Sequence, residues 1–323
     1  MSVALQYCAM PLTRHTDRCR NANWLKQQLA SDQATVVPLW AQKNMVHMVD
    51  GDPQPVYLPI SKAALILGNA KEVIYLGHQD DRPVFAADLA DLDEKEATRV
   101  LHHAAPGTTM VELRQISSTL DPETASLFAY ARGLAYWHQQ NTFCGRCGGQ
   151  LRSQQGGHSR GCSQCERELF PRIDPAVIML IEHKSPIDGV TRCLLGRSTK
   201  WEKKVYSTLA GYVDTGESLE QAVVREVQEE AGLKVSSKPI YIASQPWPFP
   251  GSVMLGFRAE TLESEIKVDK AELSDARWFS RDQLRSIIEG LNNEEGLLLP
   301  SQDSIARMLI DSWIAESGEG ETN

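Results

Sequence analysis

Residues 144–165 hold two Cys-x2-Cys pairs, Cys144/Cys147 and Cys162/Cys165, separated by fourteen residues. A segment of some thirty residues around them cannot bury enough apolar surface to fold unaided. Each Cys-x2-Cys turn can present two thiolates to one zinc ion, and two turns complete a tetrahedral set that contributes on the order of 10–16 kcal/mol. Gly145, Gly148 and Gly149 suit the tight turns of such knuckles. Four sulfur ligands would close the site to substrate, so the reading is structural Zn2+. Two surface thiol pairs or a redox pair are the alternative, against which spacing and glycines agree. His158, between the pairs, is a weaker alternative ligand.

This module, residues 141–171, divides the chain. In residues 1–140, VIYLG at 73–77, a polar turn and VFAADL at 84–89 predict a β-hairpin. A helix is expected over 121–140, with Asp121 as N-cap, Pro122 in its first turn, and Leu127, Tyr130, Leu134 and Trp137 at helical spacing for packing. In residues 172–316, AVIMLIEH at 176–183 and RCLLGR at 192–197 flank the turn SPIDG and predict a second hairpin. The loose likeness of the two hairpins hints at related domains. An amphipathic helix near 304–316 puts Ile305, Met308, Leu309 and Trp313 on one face, and residues 317–323 are a polar tail. GHSRG at 157–161 matches a nucleophile-elbow pattern but lacks the preceding strand and following helix, and is rejected.

The net charge of −9 argues against coating nucleic acid or an anionic membrane, although Lys200, Lys203 and Lys204 form a local basic patch. No apolar run approaches the ~18 residues that span a bilayer, so no membrane role is expected. The first residues show no secretory pattern and the last no lipidation signal. Seven cysteines, four in metal-type pairs, fit a reducing compartment, and the expected location is the cytoplasm.

The richest stretch runs from Gly211 to Leu233, GYVDTGESLEQAVVREVQEEAGL. Ser218 with Gln221 predicts a capping box and Gly232 a C-terminal stop, bracketing a helix. Glu226, Glu229 and Glu230 share one face of it at i, i+3 and i+4. Clustered carboxylates repel unless a cation joins them, and hard oxygen ligands suit Mg2+ or Mn2+. Arg225 can pair with Glu229. A solvated acidic face is the bland alternative.

Gly211-x5-Glu217-x7-Arg225-Glu226-Val227-x-Glu229-Glu230-x-Gly232-Leu233 resembles the Nudix box at every defined position. The resemblance implies an α+β chain with a Nudix fold, an α/β/α sandwich with a mixed sheet, that hydrolyses nucleoside diphosphate derivatives. It implies Glu226 and Glu230 as Mg2+ or Mn2+ ligands, Glu229 as a further ligand or the base, and the Ala210 carbonyl as another ligand. Which carboxylate is the base stays open.

Downstream, SQPWPFPGS at 244–252 alternates Trp247 and Phe249 with Pro246, Pro248 and Pro250. Proline excludes helix and central strand and stiffens the backbone before ligand arrives. With the four-cysteine module and the long N-terminal region, the chain resembles the NADH pyrophosphatase family. This implies a zinc ribbon, an N-terminal α/β domain of rudimentary Nudix-like form, and a homodimer. It also implies hydrolysis of NADH or NAD+ to a nicotinamide mononucleotide and AMP, and permits removal of NAD caps from RNA. Gln245, Pro246, Trp247, Pro248, Phe249, Pro250, Gly251 and Ser252 become substrate-contact candidates, and Glu272 a metal ligand near the substrate. Arg114 and Ala306 are less secure substrate-binding positions. Tyr212 stands where Phe is common and keeps a ring for stacking. Phe170 stands where Tyr is common and lacks a hydroxyl, one hydrogen bond or about 0.5–1.5 kcal/mol. A non-hydrolytic nucleotide sensor or zinc-ribbon interaction protein is the alternative from another class; it would tolerate erosion of the glutamates, which are intact.

Overall fold

The computed structural model describes residues 5–291, 293 and 295–316; the polar tail at 317–323 lies outside the described residues. The chain forms two compact units, one of residues 6–173 with 247–251, the other of residue 5, 174–246 and 252–316.

In the first unit a seven-stranded mixed sheet runs in the order Asp52–Pro55, Lys43–Val49, Thr35–Trp40, Arg82–Asp88, Glu72–Gln79, with Leu58–Pro59 and Thr108–Glu112 alongside. Thr35–Trp40 pairs parallel with Arg82–Asp88, and Arg82–Asp88 pairs antiparallel with Glu72–Gln79, the predicted hairpin. The pleat sends alternate side chains to opposite faces. Val37, Leu39, Ile74 and Leu76 form one core with helix Pro122–Gln140, while Val36, Tyr75 and Phe85 form another with helix Glu94–Ala104. Helix Pro122–Gln140 begins as its sequence predicts, with the Asp121 side chain accepting the Thr124 N–H at 2.9 Å.

The cysteine module is a three-stranded antiparallel sheet, Leu151–Gln154, Ser159–Cys162 and Glu168–Leu169, built into this same unit. Gly157, at φ +96°, lies so near Ile74 that a Cβ would meet its side chain at 2.8 Å. Arg160, buried, reaches Glu72 at 3.1 Å and donates to the His138 and Leu151 carbonyls. The small cysteine module thus gains apolar and ionic anchorage that its own core, centred on Leu151, could not supply.

The second unit is a six-stranded mixed sheet in the order Ile240–Trp247, Ser252–Glu260, Asp174–Lys184, Thr191–Ser198, Leu273–Ser280, with Leu209–Tyr212 also paired to Asp174–Lys184. Asp174–Lys184 runs parallel to Ser252–Glu260 and antiparallel to Thr191–Ser198. Val177, Met179 and Ile181 face helix Leu219–Ala231; Ile178 and Leu180 face helix Ile305–Ala315. Helices on both faces make the expected α/β/α sandwich. Trp313 is fully buried on the second face, its indole N–H donating to Glu182.

Candidate active site

The acidic helix, Leu219–Ala231, is bracketed by the caps read from its sequence. Ser218 Oγ accepts the Gln221 N–H, Gln221 Oε1 accepts the Ser218 N–H, and Gly232 closes the helix in the left-handed region at φ +69°. Caps of this kind contribute about 1 kcal/mol each. Ala222, Val223, Val227 and Ala231 are buried against the sheet and fix the helix rotation. That rotation leaves Glu226 and Glu230 7% and 5% exposed, and the Glu229 side chain 59% exposed.

Two features place the carboxylates. The Glu226 carboxyl lies directly over the Gly211 Cα; a Cβ there would meet its Cδ at 1.8 Å. The glycine of the box is therefore a space requirement of Glu226. Arg225 is the second feature. It donates Nε and Nη2 to the two Glu217 oxygens, each at 2.9 Å, Nη1 to Glu226 at 2.7 Å and Glu229 at 3.0 Å, and Nη2 to the Tyr212 carbonyl at 2.8 Å. A planar five-donor fork meets this arrangement where a lysine could not.

Glu230 is left without such help. Burial first, then the charges of Glu226 and Glu272, push its carboxyl up to about 8, partly offset by a hydrogen bond from the backbone of Ala210, and its Oε2 is buried without a partner. Burial likewise raises Glu226 against the pull of Arg225, and Glu272, itself exposed, adds its charge. Crowded, under-satisfied oxygen donors fit a divalent hard cation. Ala210, on strand Leu209–Tyr212, thus meets Glu230 through a backbone hydrogen bond, and Glu272, before strand Leu273–Ser280, acts on the helix glutamates through its charge.

Among the described residues the tightest ligand group is the four cysteines, whose sulfurs lie within 4.8 Å of one another. Cys144 and Cys165 Sγ are 3.7 Å apart, Cys147 and Cys162 Sγ 3.4 Å. A tetrahedral set with Zn–S bonds of about 2.3 Å has edges of about 3.8 Å, so the four fit one zinc ion. His158 is engaged elsewhere, one ring nitrogen meeting the Tyr75 carbonyl at 2.8 Å.

The proline-aromatic stretch divides. Trp247 to Gly251 belongs to the first unit, whereas Gln245, Pro246 and Ser252 belong to the second. Trp247 and Phe249 are half-buried and edge-to-face at 5.2 Å, with Tyr7 edge-on to both; Pro248 is buried, Pro246 and Pro250 are exposed, and Phe249–Pro250 is cis. The Ser252 hydroxyl lies 3.4 Å from that of Tyr212, whose ring is exposed. Phe170 is exposed and Arg114 presents its guanidinium to the aromatic pair at 5.4 Å.

Two expected substrate contacts have side chains engaged in packing. Gln245 is fully buried, its amide donating to the Asp303 carbonyl at 2.7 Å and accepting the Ile305 N–H at 2.8 Å. It anchors the start of helix Ile305–Ala315 instead of offering a free polar group. The Ala306 side chain is buried in the core beneath that helix. The sequence reading also missed Arg132, whose Cζ lies 4.7 Å from the Phe249 centroid. Its position inside a helix of core residues gave no signal, since the ring it meets is remote along the chain.

Comparison with known proteins matches residues 174–300 to the NUDIX domain and residues 33–137 to the NADH pyrophosphatase-like rudimentary NUDIX domain. The NAD-capped RNA hydrolase NudC of Stutzerimonas stutzeri is 40% identical over 240 residues, 74% of this chain and 76% of that protein. The NudC of Pseudomonas aeruginosa is 38% identical over 76% of this chain and 78% of its own. The human NAD-capped RNA hydrolase NUDT12 is 39% identical over 60% of this chain and 43% of its own length. With the box geometry, the cysteine cluster and these matches over both units, the chain belongs to the NADH pyrophosphatase family of Nudix hydrolases.

Proposed function

We propose that this protein hydrolyses the diphosphate bond of NADH and NAD+, giving NMNH or NMN and AMP, and acts on the same bond in NAD-capped RNA. The observation that carries the reading is Glu230, buried with an unpartnered oxygen beside Glu226 and within reach of the Glu272 charge. Mg2+ or Mn2+ bound there would neutralise diphosphate charge and lower the pKa of water. Glu226, Glu229, Glu230 and Glu272, with the Ala210 carbonyl, are the residues that would hold it. Arg225 keeps the helix carboxylates in fixed positions, so little reorganisation is needed when substrate arrives. Water oxygen attacks phosphorus, the bridging P–O bond breaks, and a helix carboxylate takes the proton.

The names of the NudC and NUDT12 relatives support this substrate class. Trp247 and Phe249 are proposed to receive the dinucleotide, since a base on an aromatic ring gains roughly 1–3 kcal/mol. The four cysteines are proposed to hold structural Zn2+. We further propose a homodimer, checked by sedimentation, and a cytoplasmic location, supported by seven free cysteines. No described helix is long and apolar enough to cross a membrane.

Purified protein with Mg2+ or Mn2+ is expected to release AMP from NADH, and Glu230→Gln to abolish release while the protein stays folded. Wild type that binds NADH yet releases nothing with either metal would instead establish the nucleotide-sensor reading. Rates on NADH, NAD+, ADP-ribose and NAD-capped RNA rank the substrates.

A further inference from the structure

Arg114 and Arg132 bring their guanidiniums to one ring. Arg132 Cζ lies 4.7 Å and Arg114 Cζ 5.4 Å from the Phe249 centroid, and Arg114 is equally far from that of Trp247. Among the described residues neither guanidinium makes an ion pair or a hydrogen bond, and Arg132 Nη1 is buried without a partner. The Glu112 charge reaches Arg132 and favours its cation, the like charge of Arg114 disfavours it, and among the described residues Glu112 forms no ion pair with it. Burial pulls the Arg132 guanidinium below the usual arginine range without removing its charge.

Such an arrangement is unfavourable in isolation. Two like charges share one neighbourhood, and a buried donor of a charged group goes unused. The aromatic faces offset part of this through their quadrupoles. An anion offering two oxygens would satisfy the rest, and guanidinium forks match phosphoryl oxygens in spacing and plane. Carboxylate ligands are a poorer match to the proposed substrate, which carries phosphoryl groups.

We propose that Arg132 completes a phosphoryl-binding site against the Phe249 ring, beside Arg114, which the family resemblance already marks for substrate. The site rests on the hydrolase reading for its ligand class. The phosphoryl group comes either from the diphosphate of the dinucleotide or from the first phosphodiester of RNA behind an NAD cap.

Arg132→Met retains chain length and removes the charge. Metal-free wild type and variant are titrated with ADP-ribose and with a short NAD-capped oligoribonucleotide, at low and high salt, by calorimetry. The variant is expected to bind at least tenfold more weakly and to lose part of the salt dependence, which a residue that only supports Phe249 would not change. Loss on both ligands assigns the dinucleotide's own diphosphate; loss on the capped oligonucleotide alone assigns the RNA phosphodiester. Equal affinity and salt dependence on both, in a variant with wild-type melting, overturns the site. If Arg132→Met does not fold, Arg132→Lys decides: it should keep the salt dependence but bind several-fold more weakly, and wild-type affinity would overturn the proposal. Wild type that binds through Arg132 but releases no AMP from NADH with either metal would sink the hydrolase reading alone. Brisk NADH hydrolysis with all Arg132 effects absent would sink the phosphoryl site alone.

Discussion

Gly211→Ala would put a methyl group where the Glu226 carboxyl sits. From 1.8 Å the carboxyl must retreat to the 3.0 Å that real Cβ contacts keep, a movement of about 1.2 Å. The displaced atoms end a flexible side chain, so the fold can yield at a cost of about 1–3 kcal/mol, in the range of ordinary overpacking. The site cannot yield so easily, because Glu226 is also held at 2.7 Å by Arg225, which grips Glu217 and Glu229 at the same time. A shift of about 1 Å in a reacting constellation costs about 100-fold in rate. AMP release from NADH, followed by chromatography, should therefore drop about 100-fold while thermal melting falls by only a few degrees. Combined with Glu226→Gln, Gly211→Ala should add little further loss, since both act on one carboxylate. Wild-type turnover in a folded Gly211→Ala protein would refute the placement of Glu226 at the reacting centre.

Gln245→Leu should lower stability by about 2–4 kcal/mol, having removed two buried hydrogen bonds, with little effect on KM; a large KM change with unchanged melting would contradict its anchoring role. Glu72→Gln should cost about 3 kcal/mol at neutral pH by leaving buried Arg160 without its carboxylate. Burial raises the Glu72 carboxyl, but His138 and Arg160 outweigh it and hold it below the usual range. Its stabilisation is thus present above the unfolded value of about 4.5 and is lost as pH falls through the depressed folded value, so denaturant curves of variant and wild type should converge in acid. Cys162→Ser should lower bound zinc from one per chain, read by a chromogenic chelator, and destabilise the unit of residues 6–173; full zinc content would count against the four-sulfur set.

Features carried by local spacing were legible in the sequence. Asp121, Ser218 and Gly232 cap helices because capping needs only residues within a turn of each other. The cysteine set and the three glutamates follow the same logic of short intervals. The rudimentary Nudix-like domain was legible from a loose likeness between hairpins and from the family resemblance carried by motifs elsewhere in the chain, and the match over residues 33–137 bears it out. The burial of Gln245 and Ala306 was not legible, because it is decided by helix Ile305–Ala315 meeting the sheet, which no local pattern records. The under-satisfied oxygen of Glu230 was likewise invisible, since desolvation is a property of the packed protein. The glycine at 211 could be matched to a motif, but its reason, the volume of a carboxyl, required coordinates.

Residues 247–251 belong to the unit of residues 6–173, although the residues on either side of them in sequence belong to the other, while the acidic helix lies wholly within one unit. Under the proposed function, the element that holds a dinucleotide and the element that cuts it are then open to separate inheritance. Drift at Tyr7, Arg114 or Arg132 could redirect the protein toward new dinucleotides with its cutting chemistry intact. Drift at Arg225 would instead disarm the protein and leave a binder behind. A lineage could move from degrading a nucleotide to reporting on it through a single codon, and the Arg225 position is where such a change should first be sought.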